Sequence, residues 1–269
     1  MINLELIHQF QTPFIAAASG LFFKEDRFWV VSDDELVLHT FDTKTFSPIK
    51  STKLFAGELP VNTDERKKLK PDLESLVMIP EGILCIPSGS KRQRQRAALV
   101  QSDQVREVSM QPLFSELEKE FPELNIEGAI HLRDELRLFQ RGNGKKIQNA
   151  TIDVDLASLL EGAPIWGNVQ HFNLGLCKGV PYSFTDAALT DKHIWFLAVA
   201  EETDDPYLDG VVLGSMLGKM DLYGNILDLH QLNISSKPEG LFIQDNIFYV
   251  VTDDDDRSEP SKLFRGMLP

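Results

Sequence analysis

The sequence predicts an all-β protein, a five-bladed β-propeller of four-stranded blades. Short β-rich runs carry the first part of that expectation. Phe28-Trp29-Val30-Val31, Ile194-Trp195-Phe196-Leu197 and Ile247-Phe248-Tyr249-Val250-Val251 are each bounded by turn-forming polar residues. A fivefold repeat carries the second. It reads SGLFFKEDRFWVVSDD from Ser19, ESLVMIPEGILCIPSG from Glu74, EGAIHLRDELRLFQRG from Glu127, DAALTDKHIWFLAVAE from Asp186 and EGLFIQDNIFYVVTDD from Glu239. The anchors stand 55, 53, 59 and 53 residues apart, so five units use the whole of the 269 residues. Residues 1–269 therefore read as one propeller domain, with a six-bladed ring as the alternative count.

Each unit opens on an oxygen-bearing anchor and a small residue, runs into a strand, turns through polar residues and returns along a second apolar strand. The period leaves room for two more. Third strands are expected at Leu36–Phe41, Ala97–Gln101, Ala150–Val154, Gly214–Met220 and Lys262–Met267, and fourth strands at Pro48–Leu54, Val105–Leu113, Asn168–Phe172 and Ile226–Leu232. The last unit lacks a fourth strand, and the β-like run Asn3–Phe10 is the segment to supply it, closing the ring and removing two edges. Helical patterning is confined to 114–121 and 155–161, both read as short connectors.

The 27 basic and 41 acidic residues give a formal charge of −14, a field that repels phosphate backbones and argues against a nucleic-acid partner. No apolar run reaches the roughly 18–20 residues that span a bilayer, so no membrane partner is expected. The opening MINLELIHQF has neither the basic nor the apolar region of a signal peptide. A cytoplasmic location is expected, or a periplasmic one where a leader was removed. Cys85 and Cys177 provide neither a disulfide framework nor metal-ligand spacing. The six histidines show no paired metal spacing, and no nucleophile-elbow, P-loop or dinucleotide motif occurs.

In a propeller the first strand of each blade lines the central channel, so five anchors converge near one axis: Ser19, Glu74, Glu127, Asp186 and Glu239. Crowded carboxylates either share protons or hold a cation. An all-oxygen ring suits a hard ion, and an irregular one suits Ca²⁺, so a single central Ca²⁺ is the expected cofactor. The loops after the second strands lie on the same face. Blades 1, 4 and 5 supply acidic ones (Asp33-Asp34; Glu201-Glu202 with Asp204-Asp205; Asp253 to Asp256), and blades 2 and 3 basic ones. Asp33, Lys91, Arg92, Arg141, Asn143, Lys145, Glu201, Asp253 and Asp254 are thus expected to line a funnel that binds a small anionic or phosphorylated molecule. The sequence assigns no catalytic residue.

The KPEGLF segment around Glu239 with the following FYVVTDDDD, together with DLESLV at Glu74 and NIEGAI at Glu127, resembles the signature of the esterase-like-phytase and SdiA-regulated group of bacterial propellers. The anchor ring is also similar to that of calcium-activated nucleotidases (apyrases), five-bladed propellers whose Ca²⁺ is held by a ring reading Ser, Glu, Glu, Ser, Glu. Ser19, Glu74, Glu127 and Glu239 match four positions. The fourth blade departs, with Phe184-Thr185-Asp186 where that family has serine. The nucleotidase substrate-binding residues have no match here, so that activity is not carried over. The mixed funnel over a metal instead leads us to expect a Ca²⁺-dependent phosphoester or ester hydrolase, with Arg92 and Arg141 steadying charge and an Asp or Glu as base. The alternative is a non-catalytic ligand- or protein-binding propeller with a structural metal. A sugar-active propeller is disfavoured, because the polar loops are poor in Trp and Tyr.

Overall fold

The computed structural model describes residues 1–269 apart from 103, 143–147, 203–209 and 255. Five sheets, each with an antiparallel four-stranded core, form five blades, and a six-bladed ring is ruled out. Blade 1 holds β3 (Ala18–Lys24), β4 (Arg27–Ser32), β5 (Val37–Asp42) and β6 (Pro48–Lys53). Blade 2 holds β7 (Leu73–Ile79), β8 (Gly82–Pro87), β9 (Arg96–Gln101) and β10 (Gln104–Ser109). Blade 3 holds β11 (Ile126–Leu132), β12 (Glu135–Gln140), β13 (Asn149–Asp155) and β14 (Trp166–Phe172). Blade 4 is built on β16 (Val180–Leu189), β17 (Ile194–Glu202), β18 (Val211–Met220) and β19 (Ile226–Asn233), with the two-residue β15 (Leu176–Cys177) beside β16.

Blade 5 is closed by the N-terminus, as the unassigned opening run predicts. β20 (Lys237–Gln244), β21 (Ile247–Asp253) and β22 (Lys262–Met267) are completed by β2 (Glu5–Gln9), which pairs antiparallel with β22. The opening run divides, however. β1 (Ile2–Asn3) adds in parallel to β19 at Leu232 and Asn233, so the N-terminus ties blades 4 and 5 together. The ring itself is visible in the inner strands: β3 packs beside β7, β7 beside β11, β11 beside β16, β16 beside β20, and β20 beside β3.

The burial of each strand follows its rank from the axis. β4 and β8 are almost wholly buried, whereas β6 and β10 are largely exposed. A middle strand has a neighbouring blade on both faces, which is why its sequence is a continuous apolar run rather than an alternating one. Phe28, Val30 and Phe41 pack on the blade 5 side with Ile15, Val251 and Leu263, while Val31 and Leu38 pack on the blade 2 side with Leu76 and Cys85.

Of the connectors, α3 (Leu156–Leu160) lies within its expected span, and α2 (Gln111–Glu120) starts earlier than expected. The fourth strand predicted as Val105–Leu113 therefore ends at Ser109: Pro112 at the start of α2 has the fixed φ that favours a first helical turn. Leu113, Phe114 and Leu117 anchor this helix in the core between blades 2 and 3. A third helix, α1 (Thr63–Leu69), has no sequence signal because it buries nothing; Asn62 caps it by accepting from Glu65 N at 3.1 Å. Among the described residues no helix is long and apolar enough to cross a membrane.

Candidate functional site

The channel mouth is built by one local device repeated in each blade. The pairing between first and second strand slips at a single residue: between Ala18 and Gly20, Leu73 and Ser75, Ile126 and Gly128, Phe184 and Asp186, and Pro238 and Gly240. A bulge re-aims the side chain of the extra residue. The residues so placed are Ser19, Glu74, Glu127, Thr185 and Glu239. In blade 4 the equivalent residue is thus Thr185, and Asp186 takes the position held elsewhere by Gly20, Ser75, Gly128 and Gly240.

The two hydroxyl residues behave alike. Ser19 Oγ donates to Leu73 O at 2.5 Å, and Thr185 Oγ1 donates to Pro238 O at 2.7 Å. In each case the acceptor is the carbonyl just before the next blade's bulge glutamate. Asp186 lies apart from them. Its Oδ2 accepts from Leu241 N at 2.7 Å and its Oδ1 faces Ser75 Oγ at 3.4 Å, while Ser75 Oγ itself accepts from Ala129 N at 3.1 Å. Burial pushes the Asp186 carboxyl well above the usual range, and its two oxygens join neighbouring inner strands.

Above the ring lies a cavity of about 330 Å³, lined by Ser19, Glu74, Glu127 and Glu239 but by neither Thr185 nor Asp186, both of which are buried beneath it. Of the expected funnel residues, Asp33, Lys91, Arg141, Glu201 and Asp253 line it. Arg92 does not: it borders a separate depression with Gln95 and Glu118. Asp254 turns instead to Lys262 Nζ at 2.6 Å and Ser236 Oγ at 3.2 Å. Asn143, Lys145, Asp204, Asp205 and Asp255 lie outside the described residues.

Opposite charges meet in pairs rather than on separate acidic and basic walls. On the side of blades 1 and 2, Lys70 Nζ bridges Asp33 Oδ2 and Asp72 Oδ1, the latter at 2.9 Å. Asp72 Oδ2 also accepts from Arg94 Nη1 at 2.7 Å and from Ser88 Oγ. Asp34 Oδ2 takes Arg66 Nε at 3.1 Å and Arg257 Nε at 3.2 Å. On the far side, Arg141 joins Glu201 Oε2 at 2.5 Å and Glu127 Oε1 at 3.4 Å, and Lys237 Nζ lies 2.8 Å from Glu239 Oε1.

Burial is the largest influence on these carboxyls, and the neighbouring cations decide the outcome. Burial and the charges of Asp72 and Glu127 drive Glu74 well above its ordinary value. Burial raises Glu127, though Arg141 and Lys237 oppose it. Glu239 is pushed up to about 7 by burial despite Lys237, and Asp33 to about 6 despite Lys70. For Asp72, burial is outweighed by Lys70 and Arg94, which hold it below the carboxylate range. For Glu201, Lys237 and Arg141 do the same.

Two features mark where a further cation would fit. Carboxylate oxygens of Asp33, Asp72 and Glu74 lie within 4.8 Å of one another. Glu239 is 6% exposed, and its buried Oε2 has no hydrogen-bond partner among the described residues.

Sequence reasoning missed Lys70, Asp72, Arg94 and Lys237 as partners in this site, and Thr185 as a ring member. A signal for Asp72 and Lys237 was present. The position two residues before each bulge reads Ala17, Asp72, Asn125, Ser183 and Lys237, a mostly polar column of which all but Ser183 line the cavity. Nothing comparable marks Lys70, which arrives on the long connection from blade 1.

Fold and site together define a five-bladed β-propeller with a charge-paired funnel over a carboxylate- and hydroxyl-lined channel. The chain belongs to DUF6929, a family of unknown function, which it matches over residues 14–268. No curated protein sequence matches it. Among solved structures it is similar to the glutaminyl cyclase of Myxococcus xanthus, with a TM-score of 0.57 at 9% identity over 100% of this chain and 99% of that one. It is also similar to a putative glycoside hydrolase from Parabacteroides distasonis (TM-score 0.49, 10% identity, 94% and 87% covered). Virginiamycin B lyase from Staphylococcus aureus gives a TM-score of 0.47 at 10% identity, with both chains covered in full (100% and 100%). At 9% identity the likeness to the cyclase is one of fold.

Proposed function

We propose that the channel mouth binds one hard divalent cation, Ca²⁺ by its ligand chemistry, and that the funnel above it receives a small anionic molecule. The observation that carries this reading is the set of three glutamates at equivalent bulges, Glu74, Glu127 and Glu239, with Glu239 Oε2 buried and unpartnered. Glu127 repels both of the others, and bringing a cation among them removes that penalty. Ser19 and Thr185 spend their protons on backbone carbonyls, which leaves oxygen lone pairs free to ligate. With Thr185 in place of Asp186, the ring reads Ser, Glu, Glu, Thr, Glu, which brings the resemblance to the calcium-activated nucleotidase ring closer. The resemblance to the esterase-like-phytase and SdiA-regulated propellers belongs to the same reading. Hydrolysis of a phosphoester or related ester is the reaction such a site supports: the ion would polarise an oxygen of the substrate, and Arg141 would oppose its charge.

A second reading has its own observation. Lys70, Arg141 and Lys237 already sit among the carboxylates as built-in cations. On that account the mouth is charge-balanced without a metal, and the funnel serves binding alone.

Calorimetric titration of chelator-treated protein with CaCl₂ separates the two. The first reading expects a single site, weakened by ~10-fold or more in Glu74→Gln and Glu239→Gln and retained in Asp186→Asn. Phosphoesters are then tested for turnover with Ca²⁺ and with EDTA. Absence of Ca²⁺ binding in the wild type rejects the metal and leaves the binding propeller.

A further inference from the structure

A second constellation of chemistry lies on the outer edge of blade 1, away from the channel. β6 is the outermost strand of that sheet and its Ser51 is directly opposite His39 of β5. His39 Nδ1 and Ser51 Oγ are 2.9 Å apart, and the other ring nitrogen, Nε2, is 2.6 Å from Glu35 Oε2. His39 is 4% exposed, while Ser51 is on the surface. An ionised Glu35 can only accept, so it holds the imidazole proton on Nε2 and leaves Nδ1 as a lone pair. Ser51 must then be the donor in its bond to His39. Burial locks the ring in place between two fixed partners.

We propose that Glu35, His39 and Ser51 form an orienter, base and nucleophile, and that Ser51 accepts acyl or phosphonyl groups from small activated esters. In that step Ser51 Oγ bonds to the electrophilic carbon or phosphorus as its proton passes to His39 Nδ1. The bond to the leaving group breaks, and the departing alcohol or fluoride takes its electron pair. A departing alkoxide takes the proton from His39, and with fluoride as leaving group the proton passes to water. Water then attacks the ester formed on Ser51 as His39 Nδ1 accepts its proton, the bond to Ser51 Oγ breaks, and that proton returns to the hydroxyl. As an edge strand, β6 also presents alternate N–H groups that have no strand partner among the described residues, a source of donors for the developing oxyanion.

Ser258 provides an internal comparison, being an exposed serine whose Oγ donates to Asp256 Oδ1 at 2.6 Å with no imidazole involved. The full chain is incubated with a fluorophosphonate probe in EDTA, and adducts are located by peptide mass spectrometry. Ser51 is expected to label ~10²-fold faster than Ser258, which is the scale of general-base assistance. The rate is expected to fall by ~10-fold or more in Glu35→Gln, which keeps the imidazole, and to reach the Ser258 rate in His39→Phe. Thermal melts of both variants check that the fold is retained. Labelling of Ser51 no faster than Ser258, or unchanged in a folded Glu35→Gln protein, overturns the proposal. Because EDTA is present throughout, the result is independent of any metal in the channel.

Discussion

Replacing Gly128 by alanine tests why a small residue follows the bulge glutamate. A Cβ at Gly128 would stand 2.9 Å from Asp186 Cα, 3.0 Å from Ala187 N and 3.1 Å from Asp186 C. All three atoms are main chain of the next inner strand, held in the β16–β17 ladder through Asp186–Leu197 and Ala187–Phe196, so they cannot swing aside as a side chain would. The two blades must separate by a few tenths of an ångström. Overpacking of this kind costs ~1–3 kcal/mol. For a domain of this size that is a fall of ~2–4 °C in Tm per kcal/mol. Gly167 is the control: it lies in β14, its φ is not positive, and no atom lies within 4 Å of its Cβ position. Gly167→Ala is expected to be neutral or to stabilise by up to ~1 kcal/mol, through lower chain entropy in the unfolded state. Guanidinium unfolding followed by tryptophan fluorescence measures both. A Gly128→Ala protein as stable as Gly167→Ala would refute the argument that the repeat's small residue is set by the approach of neighbouring blades.

Glu239 makes stability depend on pH with a definite sign. Its ordinary value of 4.5 rises to about 7 on folding. The folded chain therefore holds that proton more tightly, and the resulting stability, ~3 kcal/mol, is complete below about pH 4.5 and lost as pH rises through 7. Denaturant unfolding in EDTA between pH 5 and 8 should show wild type declining relative to Glu239→Gln; parallel curves would exclude it. Asp186→Asn keeps an acceptor for Leu241 N and is expected within ~0.5 kcal/mol of wild type, whereas Asp186→Ala strands that buried N–H at a cost of ~1–3 kcal/mol. Equal stability of the two variants in urea would contradict the assignment. Cys85 is fully buried and its thiol is pushed upward by that burial, so an aromatic disulfide reagent should reach it only in denaturant, after the half-buried Cys177. Rapid modification of both thiols in the native protein would count against the packing between blades 1 and 2.

The blades were legible because each is a local object. A β-rich run, a polar turn and a second apolar run announce a hairpin without reference to the rest of the chain, and the repeat supplied the count. The N-terminal strand was legible by arithmetic, since the last unit lacked an outer strand. α1 was not, because TDERKKL carries charge all round and no apolar stripe. The blade 4 ring position was displaced by one residue. Sequence alignment follows residue type, and a carboxylate at Asp186 looked like its counterparts, whereas the bulge between Phe184 and Asp186 gives the equivalent position to Thr185.

Strand pattern and repeat by themselves gave five propeller units, with a six-bladed ring as the alternative, and an oxygen-bearing anchor opening each, because these depend on contacts between residues close in the chain. Which charges neutralise which was decided only in three dimensions. Lys70 reaches Asp33, Arg141 reaches Glu201, and Asp186 accepts from Leu241 N, over separations of 37, 60 and 55 residues. Such pairings exist only once blade packing has brought their strands to one face and removed the water that would otherwise screen them.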